Sequence, residues 1–330
     1  MNTSSAEYSI LQPIISRYLA LQRALGKSFK REQWILESLD RWLVNAQVTD
    51  LDAGSFTAWC NSKQHLASGV RRSQMLVIRN FCLYRRRRES DCFVPDLLSF
   101  PAHHQPLQPH IFTEEQITRL LHVADRLEPT PLSPIRPQVF RLAIVLLYTT
   151  GLRRAELLRL CVGDYDPRQH SLLVQHTKFH KSRHLPLSGD TAREIAHYLD
   201  VRRQHALPLT PETPLICNEN GKAYSGVGFW QVFRALCHQT GIRTAEGRWP
   251  RVHDLRHTFA VNALLRWYRT GIDIHAKLPL LATYMGHVSI VSTEYYLHFI
   301  DEVASTACDR FNDKYGAVVT PPPKRSGSEQ

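Results

Sequence analysis

The sequence predicts a mainly helical protein of the α+β class. Three observations lead to this prediction. The first ninety residues have apolar positions at helical spacing. Residues 94–111 contain four prolines and no helical period, which is typical of a domain boundary. Beyond this boundary, two short β-type segments interrupt a pattern that is otherwise helical. We therefore expect a helical N-terminal domain and a mixed α/β second domain with a small β-hairpin.

The length supports this division, because 330 residues exceed one typical hydrophobic core. We expect a helical domain at 1–95, a linker at 96–111, a second domain at 112–318 and a disordered polar tail at 319–330. The tail prediction follows from its Pro-rich, polar composition.

Four helices are predicted in the first domain. The first contains Ile10 to Leu21 and ends near Gly26. The second contains Trp34 to Leu43, the third Phe56 to Cys60, and the fourth Val70 to Arg88. In the fourth helix, apolar residues such as Ile78 and Phe81 should face inward and seven arginines outward. These arginines, which we expect to contact phosphates, are Arg71, Arg72, Arg79, Arg85, Arg86, Arg87 and Arg88.

The second domain should begin with a helix at Thr113, where Thr-Glu-Glu-Gln forms a capping box. Residues 171–176 and 183–187 should be the two strands of a hairpin, with TKFHKS as its turn. The predicted helices lie near 114–126, 138–149, 152–161, 190–205, 225–240, 253–269, 277–285 and 300–314.

Composition narrows the class of protein. The formal charge of +11 favours a polyanionic partner, and nucleic acid is the commonest soluble one. The seven cysteines are scattered and include no CxxC pair, so we expect reduced thiols. No apolar run reaches membrane-spanning length, and the N-terminus lacks the pattern of a secretory signal. We therefore expect a cytoplasmic protein that does not enter membranes.

Four segments of the second domain contain residues whose side chains can take part in catalysis. They are TTGLRRAELLRL with Arg153, HTKFHKSRHLPL with Lys178, HDLRHTFA with His253 and Arg256, and YMGHVSIVSTEYYLHF with His287 before two tyrosines. Singly, each has a simple structural interpretation, such as a cap, a solvated turn or a half-buried aromatic. His253 and His257 are four residues apart, but the HExxH pattern of a zinc site is missing, so no metal is expected.

Taken together and in this order, the four segments resemble the tyrosine recombinase, or phage integrase, family. The resemblance covers roughly residues 110–300. It implies a catalytic set of Arg153, Lys178, His253, Arg256, His287 and the nucleophile Tyr296, with Glu156 as a supporting residue. It also implies that the first domain is a helical DNA-clamping domain of the SAM-like, core-binding type. A site-specific recombinase of a mobile element would act as a homo-tetramer on synapsed double-stranded DNA. In a bacterium it would associate with the nucleoid.

These residue types suit strand transfer through a 3′-phosphotyrosine. Arg153 and Arg256 can bind the non-bridging oxygens of the phosphorane. The histidines can move protons near neutral pH, and Lys178 can protonate the leaving 5′-hydroxyl. Deprotonating a tyrosine at pH 7 costs about 4 kcal/mol, a cost that a cationic cluster can lower. No cofactor, metal or ATP is expected, since the cations belong to the protein and the intermediate keeps an ester bond.

Several alternatives remain at this point. Tyr295 could replace Tyr296, and Lys181 could replace Lys178, because each lies close to its rival. The spacing from His287 favours Tyr296. At the level of function, the alternatives are a DNA-relaxing enzyme of the type IB topoisomerase kind, a catalytically silent DNA-binding protein of the same fold, and a metal-dependent hydrolase that uses the histidines.

Overall fold

The computed structural model describes residues 11–102, 108–175, 182–287 and 289–299. The chain divides into two compact units, Met1–Leu107 and Gln108–Gln330. Both are mainly helical, and the second contains a small antiparallel sheet. The predicted fold class is therefore confirmed. Within the described ranges, no helix has both the length and the apolar character needed to cross a membrane.

The first unit is built from four helices. They are α1 (Leu11–Ala24), α2 (Lys30–Asn45), α3 (Ala53–Ser62) and α4 (Ser68–Arg85). The core contains Leu11, Leu36, Ile78 and Phe81, each fully buried. A short 3-10 turn, Leu97–Ser99, follows, and Phe100 is buried in the same core. The core of the first unit thus continues past residue 95.

The second unit contains eight helices and three strands among its described residues. In chain order they are α5 (Glu114–Asp125), α6 (Arg136–Thr150), α7 (Arg154–Leu157), β1 (Tyr165–Asp166), β2 (Ser171–Val174), β3 (Arg183–Pro186), α8 (Gly189–Gln204), α9 (Gly226–Thr240), α10 (Val252–Arg269), α11 (Ile274–Met285) and α12 (Val291–Glu294). A 3-10 helix, Tyr295–Phe299, follows α12 directly. The Thr113 capping box at the start of α5 is confirmed.

The helix α6 lies at the centre of this unit. Eight of its fifteen residues are buried, and it packs against α5, α8 and α10. A helix that is apolar on most of its faces is stable only when other elements surround it. A second apolar cluster joins α10 and α11 to Tyr296 through Val261, Leu264 and Leu281. This cluster anchors the C-terminal elements that contribute to the site.

The three strands form an antiparallel sheet in the order β1-β2-β3. The pairing of β2 with β3 places Val174 opposite Arg183 and Ser171 opposite Pro186. The predicted hairpin is confirmed for these strands, while residues 176–181 of its turn lie outside the described residues.

The structure shortens one predicted helix and contains two elements that were not predicted. The helix predicted over 152–161 is limited to α7, because the backbone of Leu160 and Val162 bonds to Leu215 and Thr213 instead of continuing the helix. The strand β1 and the helical segment 291–299 were not predicted. The helix predicted at 300–314 and the tail at 319–330 lie outside the described residues.

Candidate active site

A glycine turn separates α6 from Arg153. Gly151 ends α6 with a φ of +63°, a conformation that glycine adopts without strain. A Cβ at this position would overlap the ring of Phe259. The turn makes Arg153 the residue that caps α7, with its backbone N–H donating to Glu156 Oε2 at 3.0 Å.

Arg256 connects the C-terminal ends of two helices. Its side chain on α10 is almost fully buried, with 1% of the residue exposed. Nη1 donates to the Gly151 carbonyl at 2.5 Å, and Nη2 donates to the Met285 carbonyl at 2.7 Å. The last carbonyls of a helix have no partner within the helix and carry partial negative charge. They therefore hold a buried guanidinium without neutralising it.

The end of α11 binds three arginines from three different elements. Arg183 Nε donates to the Tyr284 carbonyl at 2.8 Å, and Arg153 Nη2 donates to the Gly286 carbonyl at 3.1 Å. Together with Arg256, they bond to three consecutive carbonyls. The result is a concentration of positive charge around one helix end. Burial and the charge of Arg153 lower the pKa of Arg256 to about 10.

Glu156 is the carboxylate of this arrangement. Its side chain is 1% exposed, and it pairs with both Arg153 and Arg183. Burial alone would raise its pKa. Hydrogen bonds from Arg183 and Arg153, together with the charge of Arg183, outweigh burial and lower the pKa to about 2. Glu156 is therefore ionised at neutral pH.

Aromatic and imidazole rings surround Tyr296. The His287 ring lies nearly parallel to it, with centroids 6.1 Å apart, and His257 meets it at 5.4 Å. His253 in turn contacts His257 edge to face at 4.7 Å. Thr293, fully buried, shares a hydrogen bond of 2.8 Å with His287 Nδ1. This bond orients the His287 ring and leaves Nε2 for another partner.

All three histidines have lowered pKa values. Burial has the largest effect in each case, and neighbouring positive charges add to it. The pKa falls to about 4 for His253 and His287 and to about 3 for His257. The rings are therefore neutral at pH 7. Within the described part of the chain, no group of three or more His, Cys, Asp or Glu side chains is arranged to hold a metal ion.

Tyr296 is 3% exposed, and Tyr295 is half-buried beside it. Burial raises the pKa of Tyr296, while interaction with Arg256 and the charge of Arg153 lower it. Burial has the larger effect, so the net pKa lies above the ordinary value. The cationic cluster reduces the cost of ionising the phenol, as expected, but only offsets part of the cost of burial.

The structure thus brings together Arg153, Glu156, Arg256, His287 and Tyr296, with His253 joined to them through His257. Lys178 and its rival Lys181 lie outside the described residues.

The predicted arginines of the first unit differ from one another. The expectation that all seven point outward is wrong for Arg85, and three of the others are only partly exposed. Arg85 is paired with Asp50 and Glu89 and its side chain is only 10% exposed, while Arg71, Arg72 and Arg79 are half-buried. Arg86, Arg87 and Arg88 are exposed. Arg85 turns inward because Asp50, 35 residues earlier, offers a bidentate partner.

Three side chains of the site were missed by sequence reasoning: Arg183, His257 and Thr293. Arg183 stands in the segment HTKFHKSRHLPL, in which only Lys178 and Lys181 were considered. His257 was considered only as a metal ligand. Thr293 was assigned no role. In each case the sequence shows that the residue lies within a motif, but it does not show which residues its side chain contacts.

A model of the Phage integrase family matches residues 110–302. A putative integrase/recombinase of Sinorhizobium fredii, y4rB, is 28% identical over 310 residues, which cover 93% of this chain and 98% of that protein. Tyrosine recombinase XerC of Herpetosiphon aurantiacus is 28% identical over 297 residues, covering 87% and 90% of the two chains.

Among solved structures, the integrase of transposon Tn1549 in complex with a circular intermediate DNA has the same fold. It superimposes with a TM-score of 0.64 at 17% identity, over 92% of this chain and 100% of that one. The family match covers more than half of the chain, and the relatives are integrases and recombinases. The chain therefore belongs to the phage integrase family and is a site-specific tyrosine recombinase.

Proposed function

We propose that this protein cleaves and rejoins double-stranded DNA with Tyr296 as the nucleophile. Arg153, Lys178, His253, Arg256 and His287 are the other catalytic residues, and Glu156 supports Arg153. One observation carries the assignment: the buried Tyr296 ring lies against His287 and His257, beside the end of α11 that holds Arg153 and Arg256. The charges of both arginines lower the pKa of Tyr296.

In the cleavage step, the Tyr296 oxygen attacks the scissile phosphorus and the bond from phosphorus to the 5′-oxygen breaks. The products are a 3′-phosphotyrosine and a 5′-hydroxyl. The phenol proton passes to one of the neutral histidines, His253 or His287. Lys178 protonates the leaving oxygen. Attack by a second 5′-hydroxyl reverses these events and rejoins the strands, with one phosphoester formed for each one broken.

The two arginines stabilise the charge that develops on the phosphorane. Among the described residues, no carboxylate forms an ion pair with Arg256, so its full charge is available to an anion. Its neighbour Arg153 carries a second permanent charge. An anion between the two guanidiniums relieves their mutual repulsion, and this favours phosphate binding.

The proposed partner is double-stranded DNA. The Tn1549 integrase and a lambda integrase dimer have both been solved with DNA bound. In the first unit of this chain, the exposed Arg86, Arg87 and Arg88 are the best candidates for phosphate contacts. Arg71, Arg72, Arg79 and Arg85 are weaker candidates, because the first three are half-buried and Arg85 is ion-paired.

We further propose a homo-tetramer on two synapsed sites, a cytoplasmic and nucleoid-associated location, and a role in the movement of a mobile element. The similarity to a transposon integrase supports the last point. Measuring the molar mass of the complex with DNA tests this assembly, because a tetramer contains four chains of 38.0 kDa.

The test of function is covalent capture. Purified protein is mixed with sheared, nicked genomic DNA of its own source, the mixture is denatured, and the DNA that stays attached to protein is sequenced. We expect a small set of related sequences joined through their 3′ phosphates. Captured DNA with no common sequence would indicate a relaxing enzyme, and no captured DNA would exclude catalysis under these conditions. The position of the captured sequence relative to the gene tests the mobile-element proposal.

A further inference from the structure

We propose that Arg183 is a positioning residue for strand cleavage: it balances Glu156 and fixes the end of α11, so that Arg153 keeps its charge for the scissile phosphate. The inference rests on the proposed function, since it concerns the same site. Arg183 touches none of the reacting atoms in this scheme. It acts through Glu156 and through the carbonyls that hold the catalytic arginines.

The first support is geometric. The Arg183 side chain is 10% exposed and uses three nitrogens. Nε donates to the Tyr284 carbonyl at 2.8 Å, Nη2 donates to Glu156 Oε2 at 3.0 Å, and Nη1 donates to Glu156 Oε1 at 3.4 Å. A planar guanidinium can reach a carboxylate and a carbonyl at once, whereas a lysine ammonium is a single point. Arg183 therefore ties β3 to both α7 and α11.

The second support is electrostatic. Glu156 shares its two oxygens between Arg183 and Arg153. If Arg183 were missing, the buried carboxylate would have Arg153 as its remaining guanidinium partner and would neutralise it. The site has three guanidiniums and one carboxylate around the end of α11. Removal of Arg183 would lower the formal charge of this set from +2 to +1, so Arg183 keeps more positive charge facing the phosphate.

The third support comes from Gly286. This residue ends α11 with a φ of +69°, and a Cβ there would lie 2.9 Å from Arg183 Nη1. The guanidinium thus packs directly against the backbone that leads to His287. The Gly286 carbonyl is also the acceptor for Arg153 Nη2. A change at Arg183 is therefore transmitted to Arg153 and to the start of the His287 segment.

A purely structural ion pair would behave differently. Loss of such a pair lowers the stability of the domain and leaves the pH dependence and rate of the folded enzyme unchanged. A positioning role predicts three further effects: slower cleavage by folded protein, a rate deficit that shrinks at low pH, and rescue when the unbalanced carboxylate is removed.

The direction of the pH effect follows from Glu156. Hydrogen bonds and charge from Arg183 hold the pKa of Glu156 at about 2, well below its ordinary value. Loss of Arg183 removes two of the influences that lower this pKa and leaves burial and the bonds from Arg153, so the pKa rises. The ionised carboxylate, which competes for Arg153, is then lost at a higher pH than in the wild-type protein. The rate deficit of an Arg183→Gln protein should therefore shrink as the pH falls.

The experiment uses the full-length protein and a nicked duplex built from the captured recombination sequence. Single-turnover formation of the covalent adduct is followed from pH 5 to 8, with folding checked by circular dichroism. The variants are Arg183→Gln, Arg183→Lys and the double change Arg183→Gln with Glu156→Gln. The control is Arg141→Gln, which breaks pairs with Asp125 and Glu194 away from the site residues.

We expect Arg183→Gln to slow adduct formation by about 10- to 100-fold, as for a small misplacement of reacting groups. DNA affinity should change far less, and the rate deficit should shrink toward pH 5. Arg183→Lys should recover part of the rate. The double change should be faster than Arg183→Gln alone, because no free carboxylate then competes for Arg153. Arg141→Gln should lower stability and keep the wild-type rate and profile.

A folded Arg183→Gln protein with the wild-type rate at every pH overturns the inference. So does a double change slower than the single one. If Arg183→Gln does not fold, the rate and profile of Arg183→Lys decide in the same way. Absence of any adduct in the wild-type protein would instead overturn the proposed function, so the two failures are distinguishable.

Discussion

Arg153 and Arg256 carry permanent charge into a pocket whose three histidines are neutral at pH 7. The pKa values of these side chains depend on whether an anion lies between the two guanidiniums. A phosphodiester between the guanidiniums screens the charges that lower the histidine pKa values, so His253 and His287 become better proton acceptors when DNA is bound. The same screening also raises the pKa of Tyr296, because it weakens the effect of the arginines that lower it.

Lys178 is the residue whose role rests on sequence alone. We expect Lys178→Ala to slow cleavage of an ordinary duplex by about 10²- to 10⁴-fold, the usual contribution of a general acid. A substrate with sulfur in place of the 5′-bridging oxygen has a leaving group that needs no proton, and it should restore cleavage. Lys181→Ala is the matched control. Equal loss in both substrates would argue against an acid role for Lys178.

Thr293 tests the orientation of His287. Thr293→Val keeps the shape of the side chain and removes the hydroxyl that bonds to His287 Nδ1. We expect cleavage to slow by about 10-fold, a part of what acid–base catalysis contributes, with DNA binding retained. Thr283→Val is the control, because the Thr283 hydroxyl bonds only to the Pro279 carbonyl of its own exposed helix face. Equal rates in the two variants would show that the Thr293 bond has no part in catalysis.

At the scale of elements, the end of α11 organises the site. Its three terminal carbonyls bind guanidiniums from α7, β3 and α10, so elements distant in sequence meet at one helix terminus. Partial negative charge at a helix C-terminus favours cations. The helix end thereby keeps three positive charges close together. The site is formed because the four motifs meet at this helix end, whatever their order along the chain.

Two glycines provide a matched pair for testing this organisation. Gly286 and Gly271 both have φ near +70°, but a Cβ at Gly286 would press on Arg183, whereas a Cβ at Gly271 would meet nothing within 4 Å. We expect Gly271→Ala to destabilise the protein by about 1 kcal/mol, from backbone strain alone, and to leave cleavage unchanged. Gly286→Ala should destabilise the protein more and should slow cleavage. Thermal unfolding and adduct formation measure both effects, and equal behaviour of the two variants would contradict this account.

Sequence patterns predicted most of the elements because apolar spacing reports burial directly. The glycine that ends α6, the cap at Thr113 and the hairpin strands depend on local chemistry and were visible. The helical segment that carries Tyr296 was not, since its helicity depends on packing against α10 and α11. The partners of Arg183 and Arg85 were also invisible, because each pairs with a residue at least 27 positions away.

At the scale of the whole molecule, positive charge is present in both units, although in different forms. In the second unit it is concentrated on buried arginines at one helix end. In the first unit, three exposed arginines at the end of α4, Arg86 to Arg88, provide a solvated charge that long-range attraction to DNA can use. In the proposed function, the first kind of charge serves chemistry and the second serves binding.

Neutralising Arg86, Arg87 and Arg88 together to glutamine tests the second role. Each phosphate contact contributes about 0.9 to the slope of log affinity against log salt, so loss of three contacts should flatten the slope by about 2.7. Changing Arg193 and Arg203 to glutamine is the control, because both are exposed and already paired with aspartates on α8. A slope that matches the wild-type protein would mean that the three arginines are only solvated.

The central claim is that Tyr296, and not Tyr295, makes the covalent bond to DNA. The most direct measurement is trapping on a nicked suicide duplex, with Tyr296→Phe, Tyr295→Phe and wild-type protein compared at equal DNA occupancy. We predict that Tyr296→Phe binds the duplex with wild-type affinity and forms no adduct, while Tyr295→Phe still forms one. A covalent adduct in the Tyr296→Phe protein would contradict the account.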